Sequence, residues 1–112
     1  DELSAAHANA NTIAMLDHGV VTEVKASMDA PIDHDIRGGT ATENAEEMRA
    51  LLAGAGRPGH RMTVIVNAAA ALLVAGKTAD EAEAKAMAQQ ALDSGAARQA
   101  LARLVEVTQA GS

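Results

Sequence analysis

Two short segments near the start of the chain, Thr12–Leu16 and Val20–Ala26, are rich in β-branched and other apolar residues. In the second segment Val20, Thr22 and Val24 fall on one face, and Val21, Glu23 and Lys25 fall on the other. Residues 17–19, Asp-His-Gly, separate the segments and favour a tight turn, because glycine accepts positive φ and aspartate bonds to its own backbone. The pattern predicts a half-exposed β-hairpin over about residues 12–26.

From about residue 40 onward, apolar residues recur at the spacing of three to four that is typical of helices. Glycine-containing segments at 54–59, at 76 and at 95 interrupt this pattern and predict helix ends. Either Thr40 or Thr42 is expected to cap the first helix, and Thr78 with Glu81 predicts a capping box for the third. The predicted helices span about residues 42–53, 60–75, 79–94 and 96–108.

The inward faces of two helices follow from the same spacing. The first helix is expected to bury Ala45, Met48, Leu51 and Leu52, and the last to bury Leu101, Leu104 and Val105. Residues 64–66 alone also fit a buried strand, but the alanine run that follows favours a helix. The predicted fold is a single unit over residues 1–112, an α/β segment whose hairpin would join a larger sheet and whose helices would cover one face.

Composition limits both the core and the kinds of partner. Alanine accounts for 28 of the 112 residues, and Phe, Tyr and Trp are absent, so the core must be built from small and aliphatic side chains. A net charge of −6 and the lack of stacking aromatics argue against binding nucleic acid. The sequence shows no membrane span, signal peptide or cysteine, so we expect a cytoplasmic protein.

Six short motifs follow one another in an order that is specific when they are taken together, although each is weak evidence alone. In chain order they are Asp1-Glu2-Leu3-Ser4, Gly38-Gly39, Glu43-Asn44-Ala45, Leu51-Leu52-Ala53-Gly54, Val66-Asn67-Ala68-Ala69-Ala70-Ala71-Leu72, and Ala91-Leu92-Asp93-Ser94-Gly95-Ala96-Ala97. The series resembles the C-terminal segment of the anthranilate phosphoribosyltransferases, which are glycosyltransferases of the family-3 type. The resemblance covers nearly the whole chain.

The resemblance implies a role in tryptophan biosynthesis. The family transfers the phosphoribosyl group of phosphoribosyl diphosphate to anthranilate, whose amine attacks the ribose carbon as diphosphate leaves. The family's acidic pair before Leu-Ser helps to hold Mg²⁺, and it corresponds here to Asp1 and Glu2. Mg²⁺ prefers oxygen ligands and commonly lies between carboxylates and substrate phosphates. We therefore expect Mg²⁺ as the cofactor and these two residues as its ligands.

The resemblance also implies that important parts of the enzyme are missing from this sequence. The family's glycine-rich phosphate turn, its lysine-containing loop, its anthranilate-binding residues and its dimerisation helices all precede the acidic pair. We therefore expect phosphoribosyl diphosphate and anthranilate to bind only to a complete parent enzyme, and the chain alone to be inactive. The alternatives are a natural or engineered structural module without activity, or a partner-binding helical domain; either would self-associate or dock on a partner, such as a missing N-terminal segment.

The remaining polar residues have competing explanations. Asp33-His34-Asp35 offers ligands for a divalent ion, but a solvated acidic loop is the better interpretation, and no two of the four histidines have helical metal-binding spacing. Asn67, within an apolar helix, either lines a site or satisfies a neighbouring backbone group, and the second is expected. Arg57 and Arg61 either meet a phosphate or are exposed loop cations, and again the second is expected.

Overall fold

The computed structural model describes Leu3, residues 11–26 and residues 36–111. Within these ranges an antiparallel hairpin is followed by four helices, which confirms the predicted α/β segment. The elements are β1 (Asn11–Asp17), β2 (Val20–Ala26), α1 (Ala41–Leu52), α2 (Pro58–Val74), α3 (Glu81–Asp93) and α4 (Ala96–Ala110). None of these helices combines the length and the apolar character that crossing a bilayer requires.

A two-residue turn at His18 and Gly19 joins the hairpin strands, and Asp17 pairs with Val20 across it. Both turn residues have positive φ, 46° and 81°, which matches the right-handed twist of the strands. The prediction of a half-exposed hairpin is wrong for this chain, because residues 14–25 are exposed on both faces. Alternation reveals which residues share a face but does not say whether the chain itself supplies a surface to cover it.

The helix starts follow local capping chemistry. Thr40 caps α1 in a reciprocal capping box with Glu43, so of the two predicted candidates Thr40 is the cap. Pro58 begins α2 two residues earlier than predicted, because its fixed φ and missing N–H suit the first turn. The predicted box at Thr78 is wrong: Asp80 caps α3 by accepting a bond from the Glu83 N–H, and Thr78 donates its hydroxyl to the Glu83 carboxylate.

Glycine ends α2 in the expected way. Gly76 has a φ of 65° and donates its N–H to the Leu73 carbonyl, while Lys77 donates to the Leu72 carbonyl. This pair of bonds is the Schellman motif, which satisfies the last carbonyls of the helix and turns the chain back. It directs α3 to return along α2.

The core lies mainly between α2 and α3. Ile65, Ala88 and Leu92 form its buried cluster, and the partly buried Leu52, Ala68, Leu72 and Ala97 pack around it. Ala84 is fully buried and Ala69 is 2% exposed, so small side chains allow the two helices to approach closely. The predicted thin, aliphatic core is confirmed.

Two predicted inward faces are only partly correct. In α1, Leu51 is buried but Met48 is 53% exposed. In α4, Leu101 is half-buried, whereas Leu104 and Val105 are 60% and 43% exposed and no residue of the helix is buried. The apolar stripe of α4 is present, but the described part of the chain covers Leu101 only in part and leaves Leu104 and Val105 exposed.

Candidate functional site

The predicted magnesium ligands Asp1 and Glu2 lie outside the described residues, as do His7 and the Asp33-His34-Asp35 segment. Leu3, which directly follows the acidic pair in the sequence, is described and half-buried. Its backbone is bonded to α2, 64 residues further along the chain. Leu3 is therefore the described residue nearest in sequence to the acidic pair.

Asn67 of α2 makes both bonds to Leu3. The Leu3 N–H donates to Asn67 Oδ1 at 2.7 Å, and Asn67 Nδ2 donates to the Leu3 carbonyl at 2.9 Å. The side-chain amide of Asn67 thus bonds to both the N–H and the carbonyl of Leu3, which is the pair of bonds that a residue of a neighbouring β-strand would make. The same Nδ2 donates to the Thr63 carbonyl at 2.9 Å, one turn earlier in α2. These three bonds fix the amide orientation, because its oxygen must face the N–H and its nitrogen the two carbonyls.

The surrounding turns of α2 hold Asn67 in place. Val66 and Ala69 are buried on the core side of the helix, which fixes its rotation relative to the rest of the fold. Thr63 donates its hydroxyl to the Gly59 carbonyl at 2.9 Å. The expectation that Asn67 satisfies a neighbouring backbone group is confirmed by its bond to the Thr63 carbonyl, and the same side chain also bonds to Leu3, which is distant in sequence.

A second polar cluster surrounds the Gly38-Gly39 motif, where an open cleft of about 450 Å³ is lined by residues of the loop and of α1. Asn44 accepts a bond from the Gly39 N–H at 2.8 Å and donates to the Gly39 carbonyl at 3.1 Å. Glu43 accepts from the N–H and the hydroxyl of Thr40, both at 2.8 Å. The glycine N–H that an anion would use is thus occupied by a side chain of the same helix.

We predict that the cap of α1 weakens in acid. The Thr40 backbone N–H, followed by its hydroxyl, holds the pKa of the exposed Glu43 carboxyl below its ordinary value. A lowered pKa stabilises the folded cap above the ordinary carboxyl pKa, and this stabilisation is lost as pH falls through the lower, folded pKa. An NMR titration should therefore show the Glu43 carboxyl and the amides of residues 41–44 changing together in that acidic range.

The control for this titration is Glu43→Gln, which keeps an acceptor for Thr40 but does not ionise. Its amide signals at residues 41–44 should stay constant over the same pH range. If Glu43 in the unsubstituted chain titrates at the ordinary carboxyl pKa, the capping box does not form in solution.

The two arginines are not free loop cations, so that expectation is wrong. Arg57 donates to the Glu47 carboxylate at 3.2 Å and to the Arg37 carbonyl at 3.1 Å, and its Nη2 lies 2.9 Å from Nε2 of His60. Arg61 donates to the Asp93 carboxylate at 2.6 Å, which links α2 to the end of α3. Because both guanidinium groups already bond to carboxylates, a phosphate would have to displace these partners.

Among residues 11–26 and 36–111, together with Leu3, no group of three or more acidic or histidine side chains is arranged to hold a metal ion. The candidate site in the described part of the chain is therefore the Asn67–Leu3 contact, defined as the Asn67 side chain with its two hydrogen bonds to the Leu3 backbone. The chemistry of the adjacent Asp1 and Glu2, two carboxylates at successive positions, fits a hard divalent cation.

Comparison with known proteins settles the family. A model described as the a/b domain of the glycosyl transferase family matches residues 1–98, which is most of the chain. The chain belongs to this family. The match includes Asp1, Glu2, Leu3 and Asn67, and it ends just after α4 begins.

Within the glycosyl transferase family, the chain is similar to several bacterial anthranilate phosphoribosyltransferases. It is 44% identical to that of Myxococcus xanthus over 110 residues, which cover 95% of this chain and 32% of the relative. The protein of Methylobacterium nodulans is 48% identical over 88 residues, covering 79% of this chain and 25% of the relative. The resemblance that the motifs predicted is confirmed.

The chain spans about a third or less of the length of these relatives. No solved structure matches it. The Asn67–Leu3 contact was absent from the sequence prediction, as was the Asn44 bond to Gly39, although both asparagines lie in the motifs that carried the resemblance.

Proposed function

We propose that the chain is a segment of an anthranilate phosphoribosyltransferase, to which it contributes two Mg²⁺-binding carboxylates and core packing, and that it is inactive alone. The observation that carries this proposal is the 44% identity to the Myxococcus xanthus enzyme over 95% of the chain. Because the chain covers only 32% of that enzyme, the remaining parts of a substrate site have to come from elsewhere.

In this proposal Asp1 and Glu2 supply oxygen ligands to Mg²⁺, which when bound neutralises the charge of the departing diphosphate. The Asn67–Leu3 contact holds the backbone next to these ligands. In this proposal the role of the segment is to position charge at the leaving group.

Two features support dependence on a larger protein. The Gly39 N–H, Arg57 and Arg61 are already bonded to other groups of the chain, so a phosphate would have to displace those partners. Large apolar side chains also remain exposed on the hairpin and on α4, among them Leu16, Val21, Leu104 and Val107. A larger chain that packed against these two elements would bury them.

A chimera tests the proposal. When this chain replaces the matched 110-residue segment of the Myxococcus xanthus enzyme, we expect the chimera to consume anthranilate in the presence of phosphoribosyl diphosphate and Mg²⁺. The chain alone should not. Combining Asp1→Asn with Glu2→Gln in the chimera should lower the rate by about tenfold or more and raise the Mg²⁺ concentration needed for half-maximal activity.

Each part of the proposal has its own contradicting result. A chimera that folds, by circular dichroism and gel filtration, yet consumes no anthranilate would show that the segment is not a functional equivalent. A substituted chimera with an unchanged Mg²⁺ dependence would show that Asp1 and Glu2 are not ligands, while leaving the activity itself in place.

A further inference from the structure

The outer edge of β2 is an accessible sheet edge. The described sheet contains only β1 and β2, and neither strand packs extensively on a described helix. Residues 20–25 are all exposed, whereas β1 begins at the buried Asn11 and contains the half-buried Ile13. An edge strand presents a row of N–H and C=O groups that another strand can bind. Of the two strands, β2 therefore offers the more open edge to an added strand.

The geometry of the turn decides which residues of β2 face this edge. Because the turn has two residues, Val20 is the first β2 residue whose N–H and C=O both bond to β1. Bonded and non-bonded pairs alternate along an antiparallel ladder, so the even-numbered residues of β2 bond to β1. The odd-numbered residues, Val21, Glu23 and Lys25, turn their N–H and C=O groups outward. No bond from a described group outside the hairpin reaches these three residues.

The charges on this edge are complementary to a second copy of the same edge. Glu23 and Lys25 lie on one face of β2, and their partners in the hairpin, Ala14 and Thr12, carry no charge. When two β2 strands pair antiparallel about Val24, Glu23 lies opposite the partner's Lys25, and Lys25 lies opposite the partner's Glu23. Both positions turn their backbone groups outward, so each of these pairs can exchange two hydrogen bonds.

The same charges disfavour the neighbouring registers. A shift of two residues places Glu23 opposite the partner's Glu23 in one direction, or Lys25 opposite the partner's Lys25 in the other. Like charges directly opposite each other on paired strands are destabilising. A shift of one residue would match outward-facing with inward-facing backbone groups. Charged residues often protect a sheet edge from pairing, but here opposite charges two residues apart select one register.

We infer that β2 is a self-association edge, through which two copies of the chain pair antiparallel about Val24 to form a four-stranded sheet. The contact is isologous, because the same residues act on both sides, and it therefore closes as a dimer. A contact of this size is small, so the dimer is weak and its population depends on concentration. The inference does not rest on the proposed function, since it requires neither Mg²⁺ nor any other segment of an enzyme.

Analytical ultracentrifugation of the 112-residue chain tests the inference, with interference optics because the chain has no aromatic residues. We expect the mean mass to rise from monomer to dimer with concentration. Glu23→Lys leaves two positive charges on the edge and Lys25→Glu leaves two negative ones. Each substitution should raise the dissociation constant about tenfold or more. An equimolar mixture of the two variants should associate again, because each strand then meets the opposite charges.

Amide hydrogen exchange identifies the contact within the dimer. The N–H groups of Glu23 and Lys25 should be protected only at concentrations at which the dimer forms. The Val24 N–H, which bonds to β1, should be protected at both low and high concentration. This alternation distinguishes strand pairing from association through a side-chain face of the hairpin.

Leu104→Lys is the matched control on α4, where Leu104 is 60% exposed. It should leave the dissociation constant unchanged, and all three variants should keep their helix content by circular dichroism because the substituted positions are exposed. The inference is overturned if the chain remains a monomer at every concentration, or if the mixed variants fail to associate. It is also overturned if Leu104→Lys abolishes a dimer that both β2 variants retain, since α4 is then the contact surface.

Discussion

Replacement of Ile65 by alanine is expected to lower the free energy of unfolding by about 2–5 kcal/mol. Ile65 is 7% exposed and forms the buried cluster between α2 and α3 with Ala88 and Leu92. Much of the neighbouring surface is alanine, which has no rotamers with which to fill the resulting cavity, so little relaxation is expected. Urea denaturation followed by circular dichroism measures the change, because the chain has no tryptophan or tyrosine for fluorescence.

Val74→Ala provides the control for this experiment, since Val74 belongs to the same helix but is 90% exposed. Its effect should stay within about 0.5 kcal/mol. Equal losses from the two substitutions would mean that the α2–α3 contact is not the centre of the core. A small loss from Ile65→Ala alone would lead to the same conclusion.

Gly56→Ala is expected to lower the free energy of unfolding by about 1–3 kcal/mol. A Cβ atom at position 56 would lie 2.7 Å from Cα and 2.9 Å from Cβ of Leu51, closer than real contacts allow. Leu51 is buried at the end of α1, so either the helix end or the loop before α2 has to move. Gly56 does not have positive φ, and the expected loss is therefore steric rather than conformational.

The comparison for Gly56 is Gly111→Ala. Gly111 also lacks positive φ, and its nearest contact would be the Val107 carbonyl oxygen at 4.0 Å. Thermal unfolding should therefore show a clear decrease in Tm for Gly56→Ala and almost none for Gly111→Ala. If Gly56→Ala is as stable as the unsubstituted chain, the loop does not pack against α1 as described.

The elements were predictable because local signals specify them. The turn at Gly19 and the helix end at Gly76 depend on a few neighbouring residues, and the structure places a turn and a helix end there. The α3 cap was misassigned because Thr78 and Asp80 both precede a glutamate three residues on, and only the backbone path selects between them. Local chemistry limits the choices, and tertiary packing then selects one.

The exposure of α4 and of the hairpin was not predictable from the periodicity of the sequence. Leu104 and Val105 form a genuine apolar stripe, but periodicity contains no information on whether a second surface faces it. Arg57 was misjudged for a related reason: its partners Glu47 and Arg37 are 10 and 20 residues away in the sequence. The environment of a side chain cannot be predicted without the fold when its partners are distant in sequence.

Part of the candidate site was predictable from the sequence and part required the structure. Asp1 and Glu2 came from family resemblance, and they remain a prediction. The bond between Asn67 and Leu3 spans 64 residues, and no spacing rule connects an asparagine in a helix with a leucine near the start of the chain. Both residues lie in motifs that carry the family resemblance. Their presence there did not predict that the Asn67 side chain bonds to the Leu3 backbone.

The exposure of α4 has a consequence for how this chain unfolds. No residue of α4 is buried, and Ala97 in its first turn is the residue of this helix that packs against the cluster around Ile65, so most of α4 can open while that cluster stays intact. The chain should therefore contain two cooperative units, with α4 opening at a lower free energy than α2 and α3. A partner that covered Leu104 and Val107 would join those units, and binding would then appear as a gain in cooperativity as well as in stability.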